Sequence, residues 1–323
     1  MSKKILVTGG AGFIGSNICE KLIAMPDVSL VRVIDNLATG SKENIESFLS
    51  NKKFEFIEGD IRDFNTCLEA GKGIDVILHQ AALGSVPRSV KDPITTNAFN
   101  INGTLNVFFA AKESNIKKIV FASSSSTYGS NQELPKIENK IGDPLSPYAV
   151  TKLVGELYAK VFSSLYDFQF IGFRYFNVFG PKQSPKGAYA AVIPIFFRDM
   201  MKGISPVING NGEQSRDFTY VENVVDANIG AAFNDNPKSW NNIYNIACGF
   251  KTSLNELYNS IAALVGHTQK AVYGPDRKGD IRDSLADISK AKELLNYKPL
   301  FSIEEGLKKT YEWYKANPSY VNV

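Results

Sequence analysis

The sequence predicts an α/β protein: a doubly wound parallel sheet followed by a smaller C-terminal α/β lobe. Three observations predict it. Short runs of β-branched and apolar residues alternate with longer stretches of helical period through the first half of the 323 residues. Those runs are continuously apolar rather than alternating, as in strands buried on both faces. A turn spaced by Gly9, Gly12 and Gly15 joins the first run to the first helical stretch.

In chain order, strands are expected over 4–8, 30–35, 54–58, 75–79, 119–122 and 170–174. Residues 13–24 place Phe13, Ile14, Ile18, Leu22 and Ile23 in helical register, and two long helices are expected over 94–114 and 148–165. After about Gly180 the texture changes. Pro181, Pro185, Gly187 and Pro194 precede a helix near 195–202, followed by isolated short strands and the Gly210-Asn211-Gly212 turn. A division into 1–180 and 181–323 is expected, with residues 243–246 able to return to the main sheet and helices over 254–264, 288–295 and 303–315 completing the lobe.

Composition narrows the function classes. With 44% hydrophobic and 21% charged residues, the chain is neither disordered, collagenous nor a coiled coil. Cys19, Cys67 and Cys248 are odd in number and far apart, so neither a disulfide framework nor a metal site is expected. The net charge of +3 is scattered in pairs such as Lys3-Lys4 and Lys117-Lys118, which gives nucleic acid no basic track. MSKKILVTGG runs straight into a strand and a glycine turn, and no apolar stretch approaches the ~20 residues of a spanning helix. A cytoplasmic protein with no membrane partner is expected.

The glycine turn carries chemistry. Its spacing lets backbone N–H groups approach a pyrophosphate at the start of a helix, where the helix terminus favours negative charge. Asp35 ends the second strand, twenty residues past Gly15, and can accept hydrogen bonds from both hydroxyls of an adenosine ribose. A carboxylate there repels a 2′-phosphate, and no arginine follows Asp35-Asn36, so the expected cofactor is NAD rather than NADP. Asp60 and Ile61, after the third strand, are placed to meet the adenine. This makes the first unit Rossmann-like and leaves the later lobe as a second region with different work to do.

Tyr148 and Lys152 are four residues apart and rise from one helix face. A phenol of pKa ~10 is a poor base at neutral pH, but an ammonium group and a positive nicotinamide nearby would favour the phenolate. Ser123 to Ser126 sit at the C-terminal end of the fifth strand, where ligands of open α/β sheets bind. With these residues in place the chain resembles the extended short-chain dehydrogenase/reductase family, and within it the nucleotide-sugar 4-epimerases, most nearly those acting on UDP-N-acetylglucosamine. The segments that carry the resemblance are GGAGFIGSN (9–17), GDIRD (59–63), HQAALGSVPRSV (79–90), SSSSTYG (123–129), SPYAVTK (146–152), RYFNVFGP (174–181), NGNGEQSRDFTYVEN (209–223) and RKGDIRDSLADISKA (277–291).

The resemblance implies roles. Tyr148 is the catalytic base, Lys152 its electrostatic partner and ribose contact, and Ser124 and Ser126 contact the sugar near C4. Phe13 and Ile14 cover the pyrophosphate by backbone, Gln80, Ala81 and Ala82 fall on the cofactor stretch, and Tyr175 with Phe176 positions the nicotinamide. Asn177, Arg216 and Arg277 match residues that hold the UDP diphosphate, and Asp280 one that reaches the uridine ribose, which implies that the lobe over 181–323 binds the nucleotide sugar. Ser85 and Arg88 could reach the sugar, Arg88 equally reading as solvated, while His79 reads as a packing residue. The helices over 94–114 and 148–165 resemble those that pair family members into homodimers.

The reaction follows from the same comparison. Dehydratases of this superfamily resemble STDEVYG and decarboxylases STSEVYG after the fifth strand; here Ser125 and Ser126 stand where the acids would. Elimination therefore lacks its second acid or base, leaving oxidation at C4 and reduction on the opposite face. Epimerases that exclude N-acetyl groups resemble one another in carrying a Tyr at the position of Ser284, so UDP-GlcNAc and UDP-GalNAc are the expected pair, with UDP-Glc and UDP-Gal as a further pair the site could take and with a role in polysaccharide synthesis. A UDP-uronate 4-epimerase and a non-catalytic NAD sensor of the same fold are the alternatives.

Overall fold

Seven strands form one parallel sheet in the computed structural model, which describes residues 2–186, 190–275 and 282–321. They are β1 (Lys3–Thr8), β2 (Val28–Asp35), β3 (Phe54–Glu58), β4 (Val76–His79), β5 (Lys118–Ser124), β6 (Gln169–Tyr175) and β7 (Asn242–Ile246). Their spatial order is β7-β6-β5-β4-β1-β2-β3, every pair parallel. All six expected strands are present. The stretch 243–246 does join this sheet beside β6, Ile243 lying opposite Gly172 and Ile246 opposite Tyr175.

Alternation along each strand feeds two apolar layers, which is why the runs are apolar throughout. Ile5, Val7, Leu78 and Val120 face one core and Leu6, Ile77, Ile119 and Phe121 the other. The first core is covered by α1 (Phe13–Ala24) and by α8 (Val221–Ala232), whose Val224 and Ala231 share this core with Ile18 and Leu22. The second is covered by α2 (Phe64–Gly71), α5 (Gly103–Glu113) and α6 (Pro147–Leu165), around Phe108 and Phe162.

The helix expected over 94–114 is divided. α3 (Val86–Lys91) and α4 (Pro93–Asn97) precede a π-helical turn at Ala98–Asn102, and α5 follows it. The cause is Asn100, buried in that turn. Its side chain accepts from Leu83 N at 2.8 Å and donates to Leu83 O at 3.1 Å and Thr151 Oγ1 at 3.1 Å. The extra residue in the turn thus pins the loop after β4, a use often made of π-turns near functional sites.

The remaining helices are α7 (Val192–Met201), α9 (Leu254–Val265), α10 (Ser289–Leu295) and α11 (Ile303–Ala316). α7 begins earlier than expected because Pro194 sits in its first turn, where the missing N–H has no intrahelical partner to lose. Short ladders join Val207–Asn209 to Val272–Gly274, Ser215–Arg216 to Thr252–Ser253 and Val178–Phe179 to Thr219–Tyr220. Among the described residues no helix is long and apolar enough to cross a membrane. Cys19, Cys67 and Cys248 are buried thiols.

Candidate active site

The strand order reverses between β1 and β4, so the loops leaving these two strands part and open a crevice at their C-terminal ends. Gly9 leaves β1 with φ of +71°, and a side chain there would lie 2.7 Å from the Ala81 backbone. At Gly15 an added Cβ would come within 2.2 Å of Gly9 O. Both positions need glycine, and the result is a bare backbone cradle at the start of α1. Gly9, Gly12, Phe13, Ile14 and Gly15 line the crevice on that side; Asp35, Asn36, Ile61, Gln80, Ala81 and Ala82 line it elsewhere. Thr39, Leu83 and Phe99 also line it and carried no sequence signal, since topology alone brings them there.

Asp35 is 8% exposed and braces the turn itself. Its Oδ2 accepts from Ala11 N at 2.9 Å and its Oδ1 from Leu37 N at 2.8 Å. Burial pushes its carboxyl up and these backbone donors pull it back. Gly12 N–H is a third backbone donor to this carboxylate, so of its four lone pairs one stays free to accept from a ribose hydroxyl. Asp60 is differently employed. Arg62 forks onto it at 2.6 to 3.0 Å and Asn36 donates to it at 2.8 Å, holding its carboxyl below the usual range.

Across the crevice stand the reacting groups. Ser146 caps α6 through Ala149 N at 3.1 Å and Pro147 opens it, which puts Tyr148 in the first turn, with its backbone N–H held by Ser89 Oγ at 3.0 Å. One turn on, Lys152 Nζ donates to Ala122 O at 2.8 Å and lies 5.9 Å from the centre of the Tyr148 ring. Tyr148 lines a cleft with Ser85, Arg88 and Lys186, and this cleft shares Phe13, Ile14 and Gly84 with the crevice.

Burial raises the Tyr148 phenol above its ordinary range, and a hydrogen bond with Ser124 lowers it again. Burial also lowers Lys152 to about 8. Desolvation therefore opposes the phenolate in the protein alone, and Lys152, which gives one of its three donors to Ala122 O, leaves part of that stabilisation to the positive nicotinamide expected from the sequence.

Three of the four serines differ in their surroundings. Ser123 Oγ donates to Glu156 Oε1 at 2.6 Å and belongs to a buried cluster with Arg174. Ser124 reaches Tyr148 and accepts from Ser126 N at 3.1 Å. Ser126 Oγ is buried without a hydrogen-bond partner, and Ser126 is not among the residues that line the cleft beside Tyr148. His79 is a packing residue: Thr8 and Thr104 hold its nitrogens at 2.7 and 2.9 Å, and burial beside Lys152 lowers it to about 3.

Tyr175 ends β6 and hydrogen-bonds Gln80 on the crevice wall at 3.1 Å. Phe176, expected to help position the nicotinamide, has no exposed surface, packs on Tyr128 with ring centres 6.0 Å apart and does not line the crevice, so it serves as a packing residue behind Tyr175. Asn177, with φ of +35°, donates to Asp217 O at 3.0 Å. Arg216 Nη1 donates to the carbonyls of Ser215 at 2.9 Å and Arg282 at 3.0 Å, and Ser284 N donates to Ser215 O at 3.1 Å. Asn177, Arg216 and Ser284 thus gather around the 215–217 segment. The neighbouring Asp217, missed from the sequence, is fully buried and accepts from Cys248, Gly249 and Ala286 N–H groups; burial lifts its carboxyl to about 6. Arg277 and Asp280 lie outside the described residues.

Comparison with known proteins agrees with this geometry. A family model described as the NAD dependent epimerase/dehydratase family matches residues 5–247. The chain is 43% identical over 316 residues to a putative UDP-glucose 4-epimerase of Methanocaldococcus jannaschii, covering 97% of this chain and 99% of the other. Its fold superposes with a TM-score of 0.92 and 41% identity on a UDP-N-acetylglucosamine 4-epimerase from Methanobrevibacter ruminantium solved in complex with UDP-N-acetylmuramic acid, covering 98% of this chain and 99% of the other. A variant UDP-glucuronic acid 4-epimerase from Bacillus cereus, solved with NAD and a 4-deoxy-4-fluoro analogue of UDP-glucuronic acid, matches with a TM-score of 0.89 and 32% identity over 97% of this chain and 99% of the other.

Proposed function

Since the chain belongs to the NAD dependent epimerase/dehydratase family and is an NAD-dependent nucleotide-sugar 4-epimerase, we propose that it interconverts UDP-GlcNAc and UDP-GalNAc through a transient 4-keto sugar. The cradle at Gly9 and Gly15 and the free acceptor position of Asp35 fit NAD, which supplies, when bound, the acceptor and donor of the C4 hydride.

The side chains do the rest. Tyr148 takes the C4 hydroxyl proton and returns it, Ser124 holds the phenol oxygen, and Ser126 offers its unpaired hydroxyl to the sugar. Lys152 contributes positive charge and a ribose contact. Asn177, Arg216 and Arg277 hold the diphosphate, Asp280 the uridine ribose, and Ser85 the sugar, leaving the 4-keto sugar free to turn its other face while UDP stays fixed. Arginine suits this task because its fork presents paired donors to phosphate oxygens.

The observation that carries the choice of sugar is Ser284, a small side chain hydrogen-bonded through its backbone beside Arg216, where a tyrosine would fill the space an N-acetyl group needs. A UDP-uronate is the second reading, favoured by two cations, Arg88 and Lys186, in the cleft beside Tyr148. Incubation with UDP-GlcNAc, UDP-Glc and their uronates, followed by chromatography of the products, tests both. Formation of UDP-GalNAc is expected; epimerisation of uronates alone would transfer the assignment to the second reading.

A second copy of the chain is the proposed partner of α6, whose Val150, Leu157, Val161 and Leu165 form an apolar stripe exposed by 44 to 68%. A monomer by light scattering at micromolar concentration would refute this.

A further inference from the structure

Below the crevice, Gln80, Tyr175 and Asn228 close a ring of side-chain hydrogen bonds, although they come from the exit of β4, the end of β6 and the middle of α8. Gln80 Nε2 donates to Asn228 Oδ1 at 3.0 Å, Asn228 Nδ2 donates to the Tyr175 hydroxyl at 2.8 Å, and that hydroxyl donates to Gln80 Oε1 at 3.1 Å. The second Nδ2 proton of Asn228 goes to Val224 O at 2.8 Å.

That last bond sets the direction of all the others. A carbonyl only accepts, so the nitrogen of the Asn228 amide must face Val224. Its oxygen then has to accept from Gln80, which turns the Gln80 oxygen toward Tyr175 and obliges Tyr175 to give its proton. Burial holds the Tyr175 phenol far above its ordinary pKa, so it keeps that proton. Asn228 has no exposed surface, whereas Gln80 lines the crevice.

We infer that Asn228 is a positioning residue of this enzyme: by fixing which way the Gln80 amide and the Tyr175 hydroxyl point, it prearranges the crevice wall and governs how firmly NAD is held. The inference rests on the assignment of this crevice to NAD. A prearranged amide binds without paying the cost of ordering itself, and it presents one hydrogen-bonding pattern instead of two. Nothing in the reaction chemistry requires Asn228, so its loss acts on the cofactor and not on the sugar.

The test measures exchange of bound NAD against labelled NAD in the purified enzyme, for the parent and for Asn228→Leu, Tyr175→Phe and the double variant. Leucine is close to asparagine in size, and phenylalanine removes a single oxygen, which keeps the test decisive if the leucine variant does not fold. Each single variant is expected to exchange NAD about tenfold faster, the loss of roughly one oriented hydrogen bond. KM for the nucleotide sugar should stay within about twofold, and the double variant should be no worse than Asn228→Leu, because a ring already open has no further coupling to lose.

Parent-like exchange in both single variants, or fully additive effects in the double variant, overturns the inference. Asp35→Ala separates this from the underlying reading. If Asp35→Ala also exchanges NAD like the parent, the crevice is not the NAD site and both fall. If it loses NAD while the ring variants retain it, only the role of Asn228 is refuted.

Discussion

Lys152→Met should make the cofactor-free protein more stable while abolishing turnover. The ammonium group is buried at the crevice, donates to Ala122 O at 2.8 Å, and has its pKa lowered from 10.5 to about 8. A drop of that size costs the folded state about 3 kcal/mol while the lysine is charged. Some of the residue's surface stays exposed, so solvent screening trims that cost, and methionine forfeits a hydrogen bond; the variant should gain about 1 to 2 kcal/mol at neutral pH. The sign follows from the folded pKa lying below the unfolded one. The penalty is complete below about pH 8 and fades as pH rises toward 10.5, so the variant's advantage should vanish or reverse at about pH 10. Urea unfolding of NAD-free parent and variant at both pH values reads the difference. A variant less stable than the parent at neutral pH, or an advantage that does not change with pH, would refute the reasoning.

Three further outcomes are expected. Tyr148→Phe removes the proton acceptor and should lower kcat by about 10²-fold or more while NAD content stays at the parent level; turnover within about tenfold of the parent would contradict the assigned base. Ser124→Ala deletes the hydrogen bond that lowers the Tyr148 pKa, so the acidic limb of the pH–kcat profile should move to higher pH, and an unmoved limb would sever Ser124 from the phenol. Glu156→Gln leaves the Arg174 guanidinium, 3% exposed, without its carboxylate and should cost about 3 to 5 kcal/mol in urea unfolding; a loss under about 1 kcal/mol would show that the pair is dispensable.

The parts of the site that were legible in the sequence are those that local periodicity or a special backbone demands. Gly9 and Gly15 could be read because no other residue fits, and Tyr148 with Lys152 because four residues make one turn of helix. Asp35 could be read because a strand end beside a glycine turn faces the ligand edge of a parallel sheet. What escaped is what long-range packing decides. Asn228 meets Gln80 across 148 positions of sequence, and no pattern near either one announces the other. The π-turn at Ala98–Asn102 exists because Asn100 serves Leu83 and Thr151, partners that only the folded chain brings close. Asp217 shows the same limit. It reads as one acid in a polar segment, yet it gathers backbone donors from two distant loops.

Helix α6 shows how the legible and illegible parts depend on each other. Tyr148, Lys152 and Glu156 follow one another at intervals of four, and each is tied to the end of β5: Tyr148 to Ser124, Lys152 to the Ala122 carbonyl, Glu156 to the Ser123 hydroxyl. The first two contacts belong to the groups proposed to carry the chemistry, and each is a single hydrogen bond. The third is buried and charged, with Arg174 forking onto Glu156 at 2.7 and 2.9 Å. Because side chains alternate along a strand, Ser123 and Ser124 cannot serve the same partner. A slip of one residue would exchange the structural serine for the reacting one. The strong ion pair therefore fixes the register in which the weak contacts meet. The same arrangement explains why three of four consecutive serines, indistinguishable by composition, differ: Ser123 holds the scaffold, Ser124 holds the phenol and Ser126 is left unpaired.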